Sequence, residues 1–207
     1  MPFAGYASLA DVARAHRIVL CDEKFVTPQQ RPISDVLRGE LDFAENHVAF
    51  ATSEYAVCEN LIYPLLKDVW KSYLENLMLW SHEPVRYNDD LSGTPDYFVA
   101  RRSLLGRWVV EPPYLVVIEA KRDDFWRGWG QCLAALLAAQ KLNDIPELTL
   151  YGIATNGRSW EFAKLKGTTF TRDLLPFSLR NVEELCGAVH FVFEHCQSQV
   201  LALSHSA

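Results

Sequence analysis

Residues 114–121 read Tyr-Leu-Val-Val-Ile-Glu-Ala-Lys and follow Pro112-Pro113. A short, almost continuous apolar run of this kind is typical of a strand that is covered on both faces, as in α/β proteins. Because successive side chains of a strand alternate between its faces, Glu119 and Lys121 project to one side and Ala120 to the other. The run predicts a buried strand that ends in two opposite charges on one face.

These two charges allow two interpretations. Charged groups at the end of so apolar a strand are costly unless they have partners or a chemical task. The simpler interpretation is that the strand has reached the surface and that water solvates Glu119 and Lys121. The other interpretation is a functional site, and it depends on which residues the rest of the chain brings to the same place.

Apolar spacing predicts the elements on either side of this strand. Helices are expected over 7–16, 34–48, 53–77, 126–142 and 182–203. Strands are expected over 17–20, 25–26, 84–87, 97–101, 108–110, 148–154 and from 159 onward. The buried stripe of the helix over 34–48 is expected to hold Val36, Leu37, Leu41, Ala44 and Val48; that of the helix over 53–77, Cys58, Leu61, Ile62, Leu65, Val69 and Tyr73. Pro64 predicts a kink in the latter helix, because the pattern resumes beyond it. The order of elements predicts an α/β fold with a mixed central sheet flanked by helices.

Composition sets the class of protein. The chain has 207 residues, 20 Lys and Arg against 26 Asp and Glu, and 49% apolar residues. This length predicts a single domain over 1–207 with a core that needs no disulfides, and the composition excludes disordered and collagen-like chains. No apolar run approaches the roughly 18 residues of a membrane span, and the first residues do not resemble a signal peptide. Five scattered cysteines favour reduced thiols and a cytoplasmic location.

A second acidic residue is expected near the end of the buried strand. Asp96 follows Gly93-Thr94-Pro95 and opens the predicted strand over 97–101. A lone Asp at this position often only caps a turn. Together, Asp96, Glu119 and Lys121 can converge at one rim of a sheet, where two carboxylates and a main-chain carbonyl are the hard oxygen ligands that Mg²⁺ prefers. An adjacent ammonium can hold a water molecule or stabilise developing negative charge.

Two helical residues are further candidates. At about 100° per residue, Glu54 falls within the buried stripe of its helix, whereas Glu59 points about 130° away from its centre. Glu54 would then reach the same rim, although a first-turn carboxylate also interacts favourably with the helix dipole. Gln131 shares a helix face with Ala134, Ala135 and Ala138. It is either a site residue or an amide satisfied by nearby backbone.

The ordered set of these residues resembles the PD-(D/E)xK nuclease superfamily, whose core is restriction-endonuclease-like. The local sequence around these residues is similar to that of small standalone members of the superfamily and to that of the N-terminal nuclease module of type I restriction subunits. The resemblance covers about residues 53–165, which leaves 1–52 and 166–207 as helical elaborations. It is carried by Ser53-Glu54 ten residues before Pro64, by Gly93-Thr94-Pro95-Asp96, and by Ile118-Glu119-Ala120-Lys121 leading to Gln131.

The resemblance implies a role for each residue in metal-dependent hydrolysis of DNA. Asp96 and Glu119 would hold Mg²⁺, or Mn²⁺ as a substitute, with the Ala120 carbonyl as a third ligand. Lys121 would orient the attacking water and stabilise charge on the phosphate. Glu54 would contact the metal or its water, and Gln131 would orient the site or a phosphate. Cleavage of both strands with one site per chain would favour a homodimer, which a nickase would not need.

Charge permits a nucleic acid without requiring one. The acidic balance of the chain argues against non-specific coating of nucleic acid. Residues 101–127 hold six basic and four acidic side chains, a net charge of +2 against −6 for the chain. RNA therefore remains open beside DNA. Trp126 and Trp129 flank Arg127 and are expected to pack in the core, with base stacking as the alternative.

Other interpretations remain open. One is a catalytically silent member of the same fold that acts as a nucleic-acid- or protein-binding module. Another is a small-molecule- or partner-binding α/β protein in which Asp96, Glu119 and Lys121 form a structural ion cluster. A two-carboxylate glycosidase is weaker, because no sugar-stacking cleft is evident.

Two further sequence features carry no function. Residues 166–169 have the composition of a phosphate-binding loop without its order. The residues of the last helix with metal-binding side chains are expected at ordinary core and surface positions: Cys186, His190, His195 and Cys196.

Overall fold

A computed structural model describes residues 3–121 and 124–204. The helices are α1 (Leu9–His16), α2 (Asp35–His47), α3 (Glu54–Val57), α4 (Tyr63–Trp70), α5 (Phe125–Asn143) and α6 (Val182–Ser204). The strands are β1 (Val19–Asp22), β2 (Leu77–Ser81), β3 (Val85–Arg86), β4 (Ser92–Gly93), β5 (Tyr97–Arg101), β6 (Glu111–Ala120), β7 (Leu150–Thr155), β8 (Ser159–Lys166), β9 (Thr169–Arg172) and β10 (Phe177–Ser178). Short 3₁₀ turns cover Phe3–Gly5, Phe50–Thr52, Lys71–Tyr73 and Leu179–Asn181.

The main sheet is mixed, as the sequence predicts. Its order is β1-β9-β8-β7-β6-β5-β2, with β10 paired to β8. The pairs β6–β7 and β1–β9 are parallel, and the other pairs are antiparallel. Strand β6 lies between β5 and β7, and its residues 115–118 are buried. The predicted buried strand is confirmed, because neighbours on both sides and helices over the sheet cover it.

Helices flank the sheet and complete one hydrophobic core. Helix α5 packs on β6 and β7, with α1 against it, while α4 and α6 contact each other and the sheet. Close approach of α5 to β7 requires the glycine at 152, where an added Cβ would lie 2.9 Å from Cys132 Sγ. No helix in the described ranges is long and apolar enough to cross a bilayer.

The helix predicted over 53–77 is interrupted and ends early. Residues Cys58–Ile62 form a π-helical turn between α3 and α4, and the helical segment ends in the 3₁₀ turn at Tyr73, so that Leu77 begins β2. Proline at position 64 has no N–H for the carbonyl four residues before it. The neighbouring Tyr63 N–H donates to Cys58 O, five residues back. The kink expected at Pro64 thus takes the form of a π-bulge. All the expected stripe residues from Cys58 to Tyr73 are buried.

Several boundaries differ from expectation. Residues 108–110 form no strand, and the segment around Phe25 and Val26 is extended without pairing. The strand expected from Arg17 begins at Val19, because Arg17 caps α1 in a left-handed conformation (φ 56°). In α2, Val36 is 60% exposed and lies outside the buried stripe. The sequence prediction also lacked β2, β4, β9 and β10.

Candidate active site

The ends of two strands and the start of one helix meet at one rim of the sheet. Tyr97 pairs with Ile118 across the β5–β6 ladder, which places Asp96 beside the end of β6. Asp96 Oδ2 accepts a hydrogen bond from the Ala120 N–H at 2.7 Å. The convergence expected from the sequence is present for Asp96 and Glu119, because antiparallel pairing sets the start of one strand against the end of the other.

The two carboxyl groups lie in a poorly solvated place. Glu119 is 4% exposed, and the side chain of Asp96 is 16% exposed. Burial raises the pKa of Glu119 well above its usual range, and the neighbouring charge of Asp96 raises it further. Burial also raises the pKa of Asp96 despite its hydrogen bond from Ala120. Without a bound cation, this pair holds a proton more tightly than exposed carboxyl groups do.

Lys121 lies between the carboxyl groups of Asp96 and Glu119 and the start of α3. Its Nζ donates to Glu54 Oε1 at 2.8 Å and to the Ala120 carbonyl at 2.8 Å. Burial alone would lower its pKa, but the Glu54 hydrogen bond and the charges of Glu119 and Asp96 raise it overall. Lys121 is therefore held as an ammonium. Its stem packs against α5, where a Cβ added at Gly128 would lie 2.9 Å from Lys121 Cγ.

Glu54 reaches the rim because it is the first residue of α3. Ser53 caps this helix by accepting the Ala56 N–H, and Glu54 is half-buried while Glu59 is exposed. The turn between β7 and β8 fixes the position of α3. An added Cβ at Gly157, whose φ is 83°, would lie 2.6 Å from Val57 Cγ1. The helix phase predicted from the sequence thus agrees with the orientation of both glutamates.

Gln131 is the sequence candidate that is not joined to this group. It lies in the second turn of α5, half-buried, and its Oε1 is buried without a hydrogen-bond partner in the described part of the chain. Its face-mates Ala134, Ala135 and Ala138 are fully buried. The amide is therefore not satisfied by nearby backbone through its oxygen.

Sequence reasoning missed His82. Its Nε2 lies 3.7 Å from Asp96 Oδ1, its Nδ1 is 2.9 Å from Ser81 Oγ, and its N–H donates to the Asp96 carbonyl. Its φ of 53° is uncommon for a residue with a side chain and often marks a functional segment. No signal pointed to His82, because its position depends on β2, whose residues were assigned partly to a helix.

A cleft of about 380 Å³ adjoins the carboxylates. Its lining includes Tyr55, Glu59, Tyr63, His82 and Tyr97. Two residues connect the cleft with the carboxylates at the rim. Tyr97 directly follows Asp96 in the chain, and His82 faces the Asp96 side chain. A larger cavity of about 590 Å³, between residues 28–32 and the start of α6, contains none of the candidate site residues.

The described basic residues of 101–127 do not form one surface. Arg101 and Arg107 lie at or beyond the far end of β5, whereas Lys121 is at the candidate site and Arg127 lies in the first turn of α5, next to Gly128, which faces Lys121. The 5 residues of β5 separate these ends, which is about 17 Å at about 3.4 Å per residue. The net positive charge counted along the sequence is therefore divided between opposite ends of the sheet.

The two tryptophans of α5 have different environments. Trp129 is fully buried and donates to Glu161 Oε2 at 2.7 Å. It packs in the core, as expected. Trp126 is 63% exposed, with the Arg172 guanidinium 5.1 Å from its ring centre. The expectation of packing in the core is wrong for Trp126, whose ring lies at the surface beside Arg172 of β9.

The cysteines and histidines of α6 have separate environments. Cys186 and Cys196 are buried, and His195 is exposed. The Nδ1 of His190 lies 3.0 Å from the Tyr73 hydroxyl. These are the ordinary core and surface positions that the sequence analysis expects.

The donor set at the rim fits a hard divalent cation. Asp96 and Glu119 supply carboxylate oxygens, and the Ala120 carbonyl faces the same polar cluster, since Lys121 Nζ donates to it. Two adjacent carboxylates in a poorly solvated place repel each other, and a bound cation would offset this repulsion as protonation does. Among the described residues, no group of three or more His, Cys, Asp and Glu side chains is arranged to hold a metal ion.

No protein-family model matches this chain, and no curated protein sequence matches it.

Proposed function

We propose that this protein is a metal-dependent nuclease of the PD-(D/E)xK superfamily, with a restriction-endonuclease-like core, that hydrolyses phosphodiester bonds of DNA. The mixed sheet supports this fold, and the grouping of Glu54, Asp96, Glu119 and Lys121 at one rim supports the activity. These residues occur in the order and on the elements expected from the resemblance.

One observation carries the proposal. Two carboxyl groups lie side by side at the end of a central strand, Glu119 buried and Asp96 with 16% of its side chain exposed, and burial raises the pKa of both. A purely structural role would favour neutral or apolar residues in this place, because buried like charges destabilise the fold. A phosphodiesterase retains such a pair because it binds the cation required for the reaction.

Each residue then has a role that follows from its contacts. Bound Mg²⁺ would polarise the phosphate and increase the nucleophilicity of water. Asp96, Glu119 and the Ala120 carbonyl would hold the ion, with Asp96 fixed by its hydrogen bond from the Ala120 N–H. Lys121 would orient the attacking water and stabilise negative charge on the phosphate.

Two residues support this group. Glu54 holds the Lys121 ammonium in place through its 2.8 Å contact. Among the described residues, the buried Gln131 Oε1 has no hydrogen-bond partner, which suits a residue that orients a water molecule when the site is filled. Recognition would come from fixed geometry and not from a strongly basic surface.

A second candidate function is a nucleic-acid-binding module that does not cut. It is favoured by the internal pairing of the site: Lys121 already bonds Glu54 and Ala120, and Asp96 already accepts from Ala120. A closed ion cluster of this kind needs no metal. The two functions differ in their dependence on a divalent cation.

Cleavage assays separate these functions. Purified wild type is incubated with single-stranded, nicked, branched and duplex DNA, and with RNA, in Mg²⁺ or in EDTA. We expect cutting only with Mg²⁺, and loss of cutting in Lys121→Ala, while Lys67→Ala, which removes an ion-paired lysine outside the site, stays active. Metal-independent binding without cutting of any substrate would instead support the binding module.

A further inference from the structure

The cleft beside the carboxylates shares two segments with the candidate site, the start of α3 and the start of β5. Tyr55 follows Glu54, Tyr97 follows Asp96, and His82 faces Asp96 from the end of β2. The two shared segments thus each place one carboxyl group at the rim and one ring in the cleft, and β2 adds the His82 ring. A molecule with a phosphate at the carboxylates would extend directly into this ring-lined space.

The rings are arranged as a partly open stacking site. Tyr63 and Tyr97 are stacked, with centroids 6.1 Å apart and an interplanar angle of 18°. His82 meets Tyr97 edge-on at 5.7 Å and lies 6.0 Å from Tyr55. Tyr55 is 69% exposed, so much of its surface is free to contact a ligand. The other three rings lie against one another around the cleft.

The size and polarity of the cleft fit one nucleobase. Its volume of about 380 Å³ lies within the range of about 300–1,000 Å³ of small-ligand pockets. Aromatic side chains bind the faces of unpaired bases with little dependence on sequence. Glu59, at the same cleft, offers a carboxylate that can accept from the exocyclic amino group of adenine, cytosine or guanine.

We propose that this cleft binds one unpaired nucleobase of the substrate strand, so that the protein acts on single-stranded or locally unpaired nucleic acid. This inference rests on the proposed function, because it assigns the neighbouring phosphate to the Asp96 and Glu119 site. A base paired within a duplex is already stacked on both faces and would have to leave the helix to enter the cleft.

Fluorescence of 2-aminopurine tests the cleft independently of cleavage, because stacking on an aromatic ring quenches it. A single-stranded oligonucleotide with 2-aminopurine at one position is titrated with the Lys121→Ala protein in Mg²⁺. We expect the Lys121→Ala protein to quench the fluorescence. A Lys121→Ala/Tyr55→Ala double variant should bind the oligonucleotide about tenfold more weakly, and a Lys121→Ala/Tyr55→Phe double variant should bind it with unchanged affinity. Tyr87→Ala is the matched control: Tyr87 is 49% exposed and lines a different cavity.

The outcomes separate the two proposals. Absence of quenching, or equal binding with and without the Tyr55 ring, overturns the base-binding cleft even if wild type cuts DNA. Equal affinity for the same sequence in a duplex also overturns it. Quenching that depends on Tyr55 supports the cleft, and if wild type then cuts no nucleic acid, the proposed hydrolysis alone fails.

Discussion

At the scale of single residues, the main electrostatic feature is the proximity of two buried carboxyl groups to one ammonium. Lys121 neutralises part of their charge, yet Glu54 also engages that ammonium, so Asp96 and Glu119 share only part of its favourable interaction. Without a bound cation, the protein therefore retains electrostatic repulsion between Asp96 and Glu119, which protonation or a cation would reduce. This repulsion is measurable as a dependence of stability on pH.

The contribution of these two carboxyl groups to the pH dependence has a definite sign. The folded pKa values of Glu119 and Asp96 are raised above their unfolded values, so above about pH 4 these two groups bind more protons in the folded state than in the unfolded state. Their contribution to the free energy of unfolding then falls as pH rises from about 4 through the folded pKa values, whereas His190, whose pKa burial lowers to about 4, contributes a rise in the free energy of unfolding between about pH 4 and 6.5. We expect Glu119→Gln to reduce this fall and to stabilise the metal-free protein at pH 8 by about 1–2 kcal/mol.

Urea denaturation in EDTA at several pH values measures this effect. Glu45→Gln, on the exposed side of α2, serves as the control and should leave the pH profile unchanged. A Glu119→Gln variant whose profile has the same pH dependence as wild type would contradict the electrostatic account of the pair.

The two glutamates of the helical segment provide a second test at this scale. Glu54→Ala removes the partner of Lys121 and should lower cleavage at least tenfold, because the ammonium loses its positioning contact. Glu59→Gln keeps the shape of an exposed side chain that does not touch Lys121, so with saturating substrate it should retain the rate of hydrolysis, and loss of its contact to a base should lower affinity alone. Cleavage by both variants under single-turnover conditions decides this. Loss in Glu59→Gln with full activity in Glu54→Ala would show that the roles are reversed.

At the scale of elements, the site depends on how closely α5 approaches the end of β6. Gly128 faces the stem of Lys121, and an added Cβ would lie 2.9 Å from Cγ. That atom belongs to the base of the side chain, which cannot move without shifting the ammonium. The first turn of α5 therefore acts as a wall that directs Lys121 toward Glu54 and Ala120.

Two glycine-to-alanine changes separate this role from helix propensity. Alanine favours a helix over glycine by about 1 kcal/mol. Gly39→Ala, in α2 with no atom within 4 Å of the new Cβ, should stabilise the protein without changing cleavage. Gly128→Ala should lower cleavage by tenfold or more while the protein remains folded. Thermal melts and cleavage rates of both variants check this. Unchanged cleavage in Gly128→Ala would contradict the claim that the first turn of α5 directs the Lys121 side chain.

The elements also explain what the sequence predicts and what it does not. Strand β6, strand β5 and helix α5 have strong local patterns, and their predicted bounds are close to the observed ones. The apolar spacing continues past Tyr73 to Leu77, which hides the change from helix to strand at β2. His82 was missed for that reason, because its approach to Asp96 depends on the pairing of β2 with β5. Glu54 was found because helix phase is a local property.

At the scale of the whole molecule, charge along the chain differs from charge in space. Arg107 and Arg127 are both exposed, yet they lie at opposite ends of the β5–β6 pair. Only the end that holds Lys121 adjoins the carboxylates. Among the described residues, a nucleic acid bound there would meet few basic groups, so its affinity should depend weakly on salt.

This arrangement predicts different effects for two matched arginine changes. Arg127→Ala should weaken binding of single-stranded DNA and reduce the salt slope by about 1, as expected for one phosphate contact. Arg107→Ala should change neither. Fluorescence anisotropy across a salt series measures both. A larger effect for Arg107 would place the nucleic acid at the other end of the sheet and contradict the assigned site.

The central claim is that Asp96 and Glu119 hold a divalent cation, and calorimetric titration of Mg²⁺ and Mn²⁺ tests it most directly. We expect wild type and the control Asp42→Ala/Glu45→Ala, which lacks two exposed carboxylates of α2, to bind one ion with similar affinity. Asp96→Ala/Glu119→Ala should show no binding at that site while remaining folded by circular dichroism. Binding that persists in this double variant, or that is absent from wild type, would contradict the claim.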